Sequence, residues 1–313
     1  MVTFLIRRVL TGLAMLLVIS TLAFVLLYLT GTDIARHLLG DNASAQAVEL
    51  RAHQLGLDQP LATRYFDWLG AAVRGDLGTS WFGGSSVGTL LGSRLGVTLS
   101  LVVISTLISA VVATAIGVWA AVRRGWVDRV VQILSLGGAA VPNFLIALGL
   151  VVVFAINLGW FAPTGYTRPE VSTSGWIASI TLPVIALTIG CIAGTAQQVR
   201  SAMIDALRQD YVRTLRSRGL SQRSVVYRHV LRNAAGPGLS VLALQFVGLL
   251  GGAVIIEQMF AVPGLGSLSV SSTIQGDIPV IMGVVVVVAI IVILVNLLID
   301  IVHGWLNPKA RVS

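Results

Sequence analysis

The chain has 313 residues, of which 56% are hydrophobic and only 11% charged, and its mean hydropathy is +0.90. This composition excludes a soluble globular fold, because a domain of this length could not bury so much apolar surface. The net charge of +8 comes from basic residues that are all arginine except Lys309, and the single cysteine, Cys191, excludes an intramolecular disulfide.

Six stretches contain no Asp, Glu, Lys or Arg and are long enough to cross a bilayer. A helical span needs about 20 mostly apolar residues, and in lipid such runs satisfy their backbone hydrogen bonds as helices, not as barrel strands. The sequence therefore predicts an all-α membrane protein with six transmembrane helices. The predicted spans are residues 9–30, 97–122, 130–158, 177–199, 238–256 and 278–299.

The first span follows Arg7 and Arg8, as the apolar core of a secretory signal would. Its apolar run of 22 residues exceeds a signal core of about 7 to 15 residues, and no small-residue cleavage site follows it. We therefore predict an uncleaved N-terminal transmembrane helix over residues 1–30.

The segment 31–96 is the one sizeable soluble part of the sequence. The stretches ASAQAVELRAHQLGL and PLATRYFDWLGAAV within it have the pattern of short amphipathic helices, with Tyr65, Phe66 and Trp68 as apolar anchors. Either these helices pack as a cap on the membrane face, or they contact an extracytoplasmic protein. About 66 residues are few for a separate catalytic domain.

The distribution of arginine and lysine predicts the orientation, because loops rich in these residues stay in the cytoplasm. Six spans place both termini on one side, which then carries the basic residues of the N-terminus, of loops 123–129 and 200–232, and of the C-terminal tail 303–313. The two short loops of the opposite side contain a single basic residue, Arg168. A loop as long as 31–96 translocates largely regardless of its charge. Both termini are therefore predicted to be cytoplasmic, and segment 31–96 extracytoplasmic.

The segment 200–237 is too long for a simple connector, since turns between helices usually take about 2 to 8 residues. Apolar residues recur in it at every fourth position from Met203 to Leu215, which predicts an amphipathic helix. Gly219 then favours a left-handed helix cap, and Ser221 is placed to cap the next helix.

A second short amphipathic helix is predicted to follow Ser221 and to end where Pro237 begins the fifth span. Its apolar side carries Val225, Val226, His229 and Val230. One interpretation is that the basic segment only obeys the positive-inside rule. The other is that an apolar side with a basic rim docks another protein.

The stretch DYVRTLRSRGLSQRSVVYRHVLRN, residues 210–233, resembles the EAA loop of bacterial ABC importer permeases. Aligned on Gly219, it departs from the general family pattern (E-A-A, three residues, Gly, nine residues, I-x-L-P) almost everywhere except Gly219 and Leu231. It matches closely the variant of the dipeptide and oligopeptide branch, approximately D-Y-V-R-T-A-R-A-K-G-L-S followed by R-H-x-L-R-N. Further stretches similar to the first permease of that branch are residues 55–81, 141–151, 161–166, 257–268, 276–283 and 296–311.

This resemblance implies the type I ABC importer permease fold, with a transmembrane core over 97–302 and an EAA-type coupling loop at 200–237. In that family the short helix of the loop sits in a groove of a cytoplasmic ATPase. Carried over to this sequence, the coupling helix is residues 220–229.

The apolar side of the coupling helix is expected to bury in the ATPase groove, while Arg223 and Arg228 reach acidic groups at its rim. The residues implied in ATPase coupling are Arg213, Gly219, Leu220, Ser221, Arg223, Val225, Val226, Arg228, His229 and Asn233.

The resemblance also implies that the chain is one subunit of a larger machine in the bacterial cytoplasmic membrane. Its implied partners are a second related permease, two ATPase subunits or domains that hold ATP and Mg, an extracytoplasmic solute-binding protein and membrane lipid, with no nucleic acid. The implied cargo is short peptides, although permeases of this branch also serve nickel chelates, glutathione and other small solutes. The chain itself is expected to hold no cofactor and no metal.

Polar groups within or near the spans are either interhelical hydrogen-bonding groups or the lining of a pathway. Glu257 ends the fifth span on the outer side, where we expect it to be solvated, and Gly248 with Gly252 predicts a close helix contact. Pro142 and Pro183 are expected to bend their helices. The pathway candidates are Asn143, Gln245, Glu257 and Asn296.

The sequence favours a transport subunit over an enzyme. A phosphate-binding loop needs a lysine near the phosphates, and the one lysine here is Lys309, close to the C-terminus. The four histidines form no H-E-x-x-H motif. A self-contained secondary transporter remains the alternative, although the six spans are charge-free and no repeat relates the two halves.

Overall fold

The computed structural model describes residues 2–30, 34–40, 42–123 and 125–306. Within these ranges the regular structure is helical, apart from one isolated β-bridge between Thr79 and Ser86. The α-helices are α1 (Val2–Thr30), α2 (Ile34–Leu39), α3 (Ala45–Gln54), α4 (Leu61–Val73), α5 (Val87–Arg123), α6 (Trp126–Ala140), α7 (Asn143–Leu150), α8 (Thr173–Leu207), α9 (Asp210–Ser217), α10 (Gln222–Ser224), α11 (Leu231–Met259), α12 (Leu265–Gln275) and α13 (Ile278–Leu306). Two π-helical stretches, Val151–Asn157 and Val225–Val230, continue α7 and connect α10 to α11.

Among the described residues, five helical stretches are long and apolar enough to cross a membrane, which confirms the all-α membrane class. They are Ile6–Tyr28, Val87–Arg123, Thr173–Leu207, Gln222–Met259 and Ile278–Val302. The predicted third span is a pair of helices instead, with a bend of 96° between Trp126–Gly138 and Asn143–Asn157. Six crossings result if this pair forms one broken span.

The break in the third span lies at Pro142. Proline has no N–H to donate, and its ring disfavours helical backbone in the preceding residue. Val141 accordingly takes an extended conformation, with φ −86° and ψ 121°, and a new helix begins at Asn143. Pro183 lies inside α8, which runs through it without a break.

Several helix boundaries differ from the predicted ones. Helix α5 begins at Val87, ten residues before the predicted span, and α8 continues to Leu207, into the predicted loop. Pro237 lies within α11 and does not begin a helix. A proline removes only one hydrogen bond of a long helix, and in a membrane protein neighbouring groups satisfy the carbonyl that it leaves. The C-terminal residues 307–313 of the predicted tail lie outside the described residues.

One compact unit comprises residues 1–97 and 263–294. In it α4 packs on α1 through an apolar cluster of Phe24, Tyr65 and Trp68. The hydroxyl of Tyr65 forms a hydrogen bond of 2.6 Å with Thr21 Oγ1. Phe66, expected to be a third anchor, is 67% exposed.

The same unit holds the segment before α5 against the start of α13. Buried Asp277 accepts a hydrogen bond of 2.5 Å from Ser80 Oγ and one of 3.2 Å from the backbone N–H of Trp81. Ser80 Oγ in turn accepts from the N–H of Gly83 at 2.9 Å. These bonds satisfy a carboxylate that would be costly to bury alone.

The second unit comprises residues 98–262 and 295–313. Helix α8 lies at its centre and packs against α6, α7 and α11. It also approaches α5 closely, since a Cβ added to Gly117 would lie 2.8 Å from the carbonyl oxygen of Ala196. The basic segment and three of the four pathway candidates belong to helices that surround α8.

Candidate functional site

The turn between α9 and α10 has the predicted conformation. Gly219 has φ +78° and its N–H donates to the carbonyl of Arg216 at 3.0 Å, while the N–H of Leu220 donates to the carbonyl of Leu215 at 3.3 Å. An added Cβ at Gly219 would meet no atom within 4 Å, so glycine is favoured there by the backbone conformation and not by space. Ser221 Oγ accepts from the N–H of Ser224 at 3.4 Å, as a helix N-cap does.

The short helix after this turn continues directly into a membrane-crossing helix. Helix α10, the π-helical stretch Val225–Val230 and α11 follow each other without an interruption, as one stretch from Gln222 to Met259. No turn or loop therefore separates the short helix from α11.

The apolar side of the short helix is buried within this chain. Val225 is 0% exposed, Val226 3% and Val230 0%. The expectation that Val225 and Val226 bury in a partner's groove is therefore wrong for this conformation, because both side chains already lie in the chain's own core. The buried members of that cluster are Val118, Ala121, Val199, Met203, Val212, Val225, Val226, Val230 and Ala234.

This cluster joins the basic segment to three membrane helices, since its members come from α5, α8, α9, the π-helical stretch and α11. Burial of Val, Met or Leu side chains stabilises by about 1.5–3 kcal/mol each. The segment is thus held firmly on the helix ends by its apolar side, and its opposite side is left at the surface.

The exposed side of the short helix carries an aromatic residue between arginines. Tyr227 is 63% exposed, and Arg223 and Arg228 are exposed beside it. Among the other predicted coupling residues, Arg213, Gly219, Ser221 and Asn233 are exposed, and Leu220 and His229 are partly buried. We name the exposed set Ser221, Arg223, Tyr227 and Arg228 the tyrosine face.

The sequence itself carries a signal for Tyr227, which is not among the predicted coupling residues. Once Val226 and Val230 define the buried side by their spacing of four, the adjacent residue 227 is turned away from that side of the helix. A large aromatic side chain at such an exposed position is the composition of an interface anchor.

A second contact fixes the base of α8. The guanidinium of Arg200 donates two hydrogen bonds to the carboxylate of Asp128 on α6, one of them from Nη2 to Oδ2 at 2.6 Å. Gln132 Nε2 also donates to Asp128 Oδ2 at 3.2 Å. Both charged side chains are only about 15% exposed, so this bidentate pair is partly screened from water.

Two pathway candidates lie on the same face of α8. A Cβ added at Gly190 would lie 2.7 Å from Asn143 Oδ1, and one added at Gly194 would lie 2.7 Å from Gln245 Nε2. Both amide side chains are partly buried. The structure therefore brings together Asn143 from α7 and Gln245 from α11, which are about a hundred residues apart in sequence.

The other two pathway candidates lie elsewhere. Glu257 is 0% exposed and accepts a hydrogen bond of 2.6 Å from Thr98 Oγ1, so the expectation of a solvated carboxylate is wrong. The cause is a tertiary contact, because α5 covers this end of α11. Asn296 is exposed on α13.

The predicted glycine contact on α11 holds for one glycine only. A Cβ added at Gly252 would lie 3.6 Å from Asn143 Nδ2 and 3.9 Å from Leu187, whereas Gly248 has no atom within 4 Å of that position. Among the described residues, no group of three or more His, Cys, Asp or Glu side chains could hold a metal ion.

The long apolar helices, with a basic segment packed on the ends of several of them, define a polytopic α-helical membrane protein. Two family models match it: binding-protein-dependent transport system inner membrane component over residues 113–312, and the N-terminal part of such a membrane component over residues 1–102. The chain belongs to this family of membrane components. It is the permease component of a binding-protein-dependent ABC importer, and this family is not itself the ATPase.

Relatives of full length support this assignment. A permease protein of Brucella abortus (strain 2308) with a provisional peptide-transport name is 37% identical over 312 residues, which are 99% of each chain. The glutathione transport system permease protein GsiC of Escherichia coli (strain K12) is 36% identical over 312 residues, again 99% of each chain. A solved structure of the MetNI methionine ABC transporter, in an inward-facing conformation, covers 70% of this chain and 96% of its own, with 18% identity and a TM-score of 0.55, which shows the shared fold.

Proposed function

We propose that the chain forms half of the pathway through which an ATP-driven importer moves short peptides across the bacterial cytoplasmic membrane. The observation that supports the cargo is the pair of full-length relatives, one named for peptide transport and one for glutathione transport. Glutathione is itself a tripeptide, so both names describe solutes with peptide bonds and terminal carboxylates.

The energy for transport comes from partner subunits, and the tyrosine face is where the ATPase docks. A docking surface needs a large anchor surrounded by groups that select the partner, and Tyr227 between Arg223 and Arg228 has this composition. ATP and Mg are held by the ATPase. The arginines favour an acidic rim around its groove, because opposite charges steer association and set orientation.

Movement of the docked ATPase shifts the helices of the pathway, because the tyrosine face is rigidly connected to these helices. The apolar cluster beneath it includes side chains of α5, α8 and α11, and α11 continues from the short helix without a joint. Closure of two ATPase subunits therefore shifts the ends of these helices together. Gly219, with its left-handed backbone, ends α9 and lets the chain change direction before the short helix.

The complete importer contains two permeases, two ATPase subunits or domains and an extracytoplasmic solute-binding protein. In this arrangement both termini of the chain are cytoplasmic, and segment 31–96 is extracytoplasmic. The arginines of residues 200–232 lie on the cytoplasmic side, as the positive-inside rule requires.

Uptake of labelled peptides tests the cargo. In a strain without the chromosomal copy of this permease, the restored chain should support uptake of labelled di- and tripeptides, with glutathione, longer peptides and a nickel chelate as comparison solutes. Uptake of the nickel chelate alone would contradict a peptide cargo. Uptake that persists after the partner ATPase is inactivated would favour a self-contained secondary transporter instead.

A further inference from the structure

Three side-chain amides lie along one face of α8. Asn143 and Gln245 come from α7 and α11 and rest on the backbone of α8 at Gly190 and Gly194, which are one helical turn apart. Gln197 follows Gly190 by seven residues and so lies on the same face of the helix. Gln197 is not one of the four pathway candidates that the sequence predicts.

These amides do not bond the helices to each other. Gln197 Oε1 is enclosed and has no hydrogen-bond partner, and the Asn143 and Gln245 side chains form no hydrogen bond to any residue that the structure describes. Asn143 and Gln245 each contact a glycine, which offers no side-chain group to bond. Amide groups in an apolar region are costly when they are left without partners, so their donors and acceptors are suited to a ligand.

The spacing of the amides fits a short peptide. Seven residues of helix between positions 190 and 197 correspond to about 10 Å, and an extended peptide covers that length with about three residues. Each side-chain amide has both donors and an acceptor, as the peptide group has. Such contacts bind the peptide backbone and do not select among the side chains of the peptide.

We propose that Asn143, Gln245 and Gln197 form an amide strip that contacts the backbone of the peptide during its passage through the pathway. This proposal rests on the proposed function and adds the class of group that is recognised. An amide strip carries no charge, so it holds neutral and charged peptides alike and binds none of them tightly enough to stop release.

The glycines of α8 position the strip. A methyl group at Gly194 would displace the Gln245 amide, because the added carbon would lie 2.7 Å from Nε2. Gly137 on α6 has no atom within 4 Å of its Cβ position. Gly194→Ala therefore moves an amide without removing it, and Gly137→Ala is the control for adding a methyl group to a helix.

The test uses the complete importer in proteoliposomes with saturating peptide-loaded binding protein, and it measures peptide uptake and ATP hydrolysis separately. Gln245→Leu and Asn143→Leu should each lower the maximal uptake rate about two- to tenfold, the loss of one net hydrogen bond, while stimulated ATP hydrolysis stays within twofold of wild type. Gln198→Leu is the matched control, because its partly buried amide lies about 100° around α8 from Gln197.

The outcomes of this experiment distinguish a failure of the amide strip from a failure of the proposed function on which it rests. Absence of peptide uptake by the wild-type importer would contradict the proposed cargo, and the strip with it. Wild-type uptake that Gln245→Leu and Asn143→Leu leave unchanged, or that Gln198→Leu lowers equally, would overturn the strip alone. If a leucine variant fails to assemble, the comparison of Gly194→Ala with Gly137→Ala tests the strip instead. The strip predicts slower peptide uptake by the Gly194→Ala importer, and equal uptake by the two would overturn it.

Discussion

Truncation of Tyr227 should release the ATPase from this permease. Tyr227 as a whole is 63% exposed, so about 125 Å² of the roughly 200 Å² that such an aromatic residue can bury is open to a partner. At about 25 cal/mol per Å², burial of this area contributes at most about 3 kcal/mol, and the ordering of the interface reduces the net gain. Truncation of a buried anchor typically costs about 2 kcal/mol, equivalent to roughly thirtyfold in dissociation constant.

The assay compares Tyr227→Ala with Tyr227→Phe, which keeps the ring. Complexes are purified in mild detergent, and the retained ATPase is measured beside peptide uptake and the membrane level of the permease. Tyr227→Ala should lose most of the ATPase and of the uptake at a normal membrane level, because Tyr227 contributes little to the chain's own core. Tyr227→Phe should behave nearly as wild type. Normal ATPase retention by Tyr227→Ala would refute the tyrosine face as the docking surface.

Three further predictions concern the contacts beneath this face. Val226→Asp places a charge in the apolar cluster, where it costs several kcal/mol, and it should lower thermal stability of the purified permease as well as uptake; unchanged stability would mean that Val226 is not in the core. Asp128→Arg and Arg200→Asp should each lose about 1.5–3 kcal/mol of charge-assisted hydrogen bonding, seen as reduced uptake, and the double exchange should recover much of it; no recovery would contradict the pairing. Gly219→Ala forces a side chain into left-handed backbone at a cost of about 1–2 kcal/mol, so uptake should fall moderately, whereas an unchanged rate at all temperatures would exclude a strict conformational need.

Local features of the basic segment could be predicted from the sequence, since they depend on neighbouring residues only. The left-handed backbone of Gly219 and the cap at Ser221 follow from their own chemistry and from the helices on either side. The long charge-free stretches likewise predicted membrane helices, because lipid leaves the backbone few other structures.

Tertiary contacts determine the features of the fold and of the site that local sequence patterns could not predict. An amphipathic helix has an apolar side whether that side faces a partner or the chain's own core, so periodicity could not tell that Val226 packs inward. Glu257 is buried where it accepts a hydrogen bond from Thr98, which lies 159 residues earlier in the chain. The contact between Asn143 and Gly190 also depends on the break at Pro142, and the angle of this break cannot be predicted from the composition.

The most direct test of the importer function is peptide uptake into proteoliposomes that contain this permease, its partner permease and the ATPase, with loaded binding protein outside and ATP inside. We predict uptake that requires both ATP and binding protein and that stops when the ATPase is replaced by a hydrolysis-deficient variant. Uptake at the same rate without ATP hydrolysis would contradict the account.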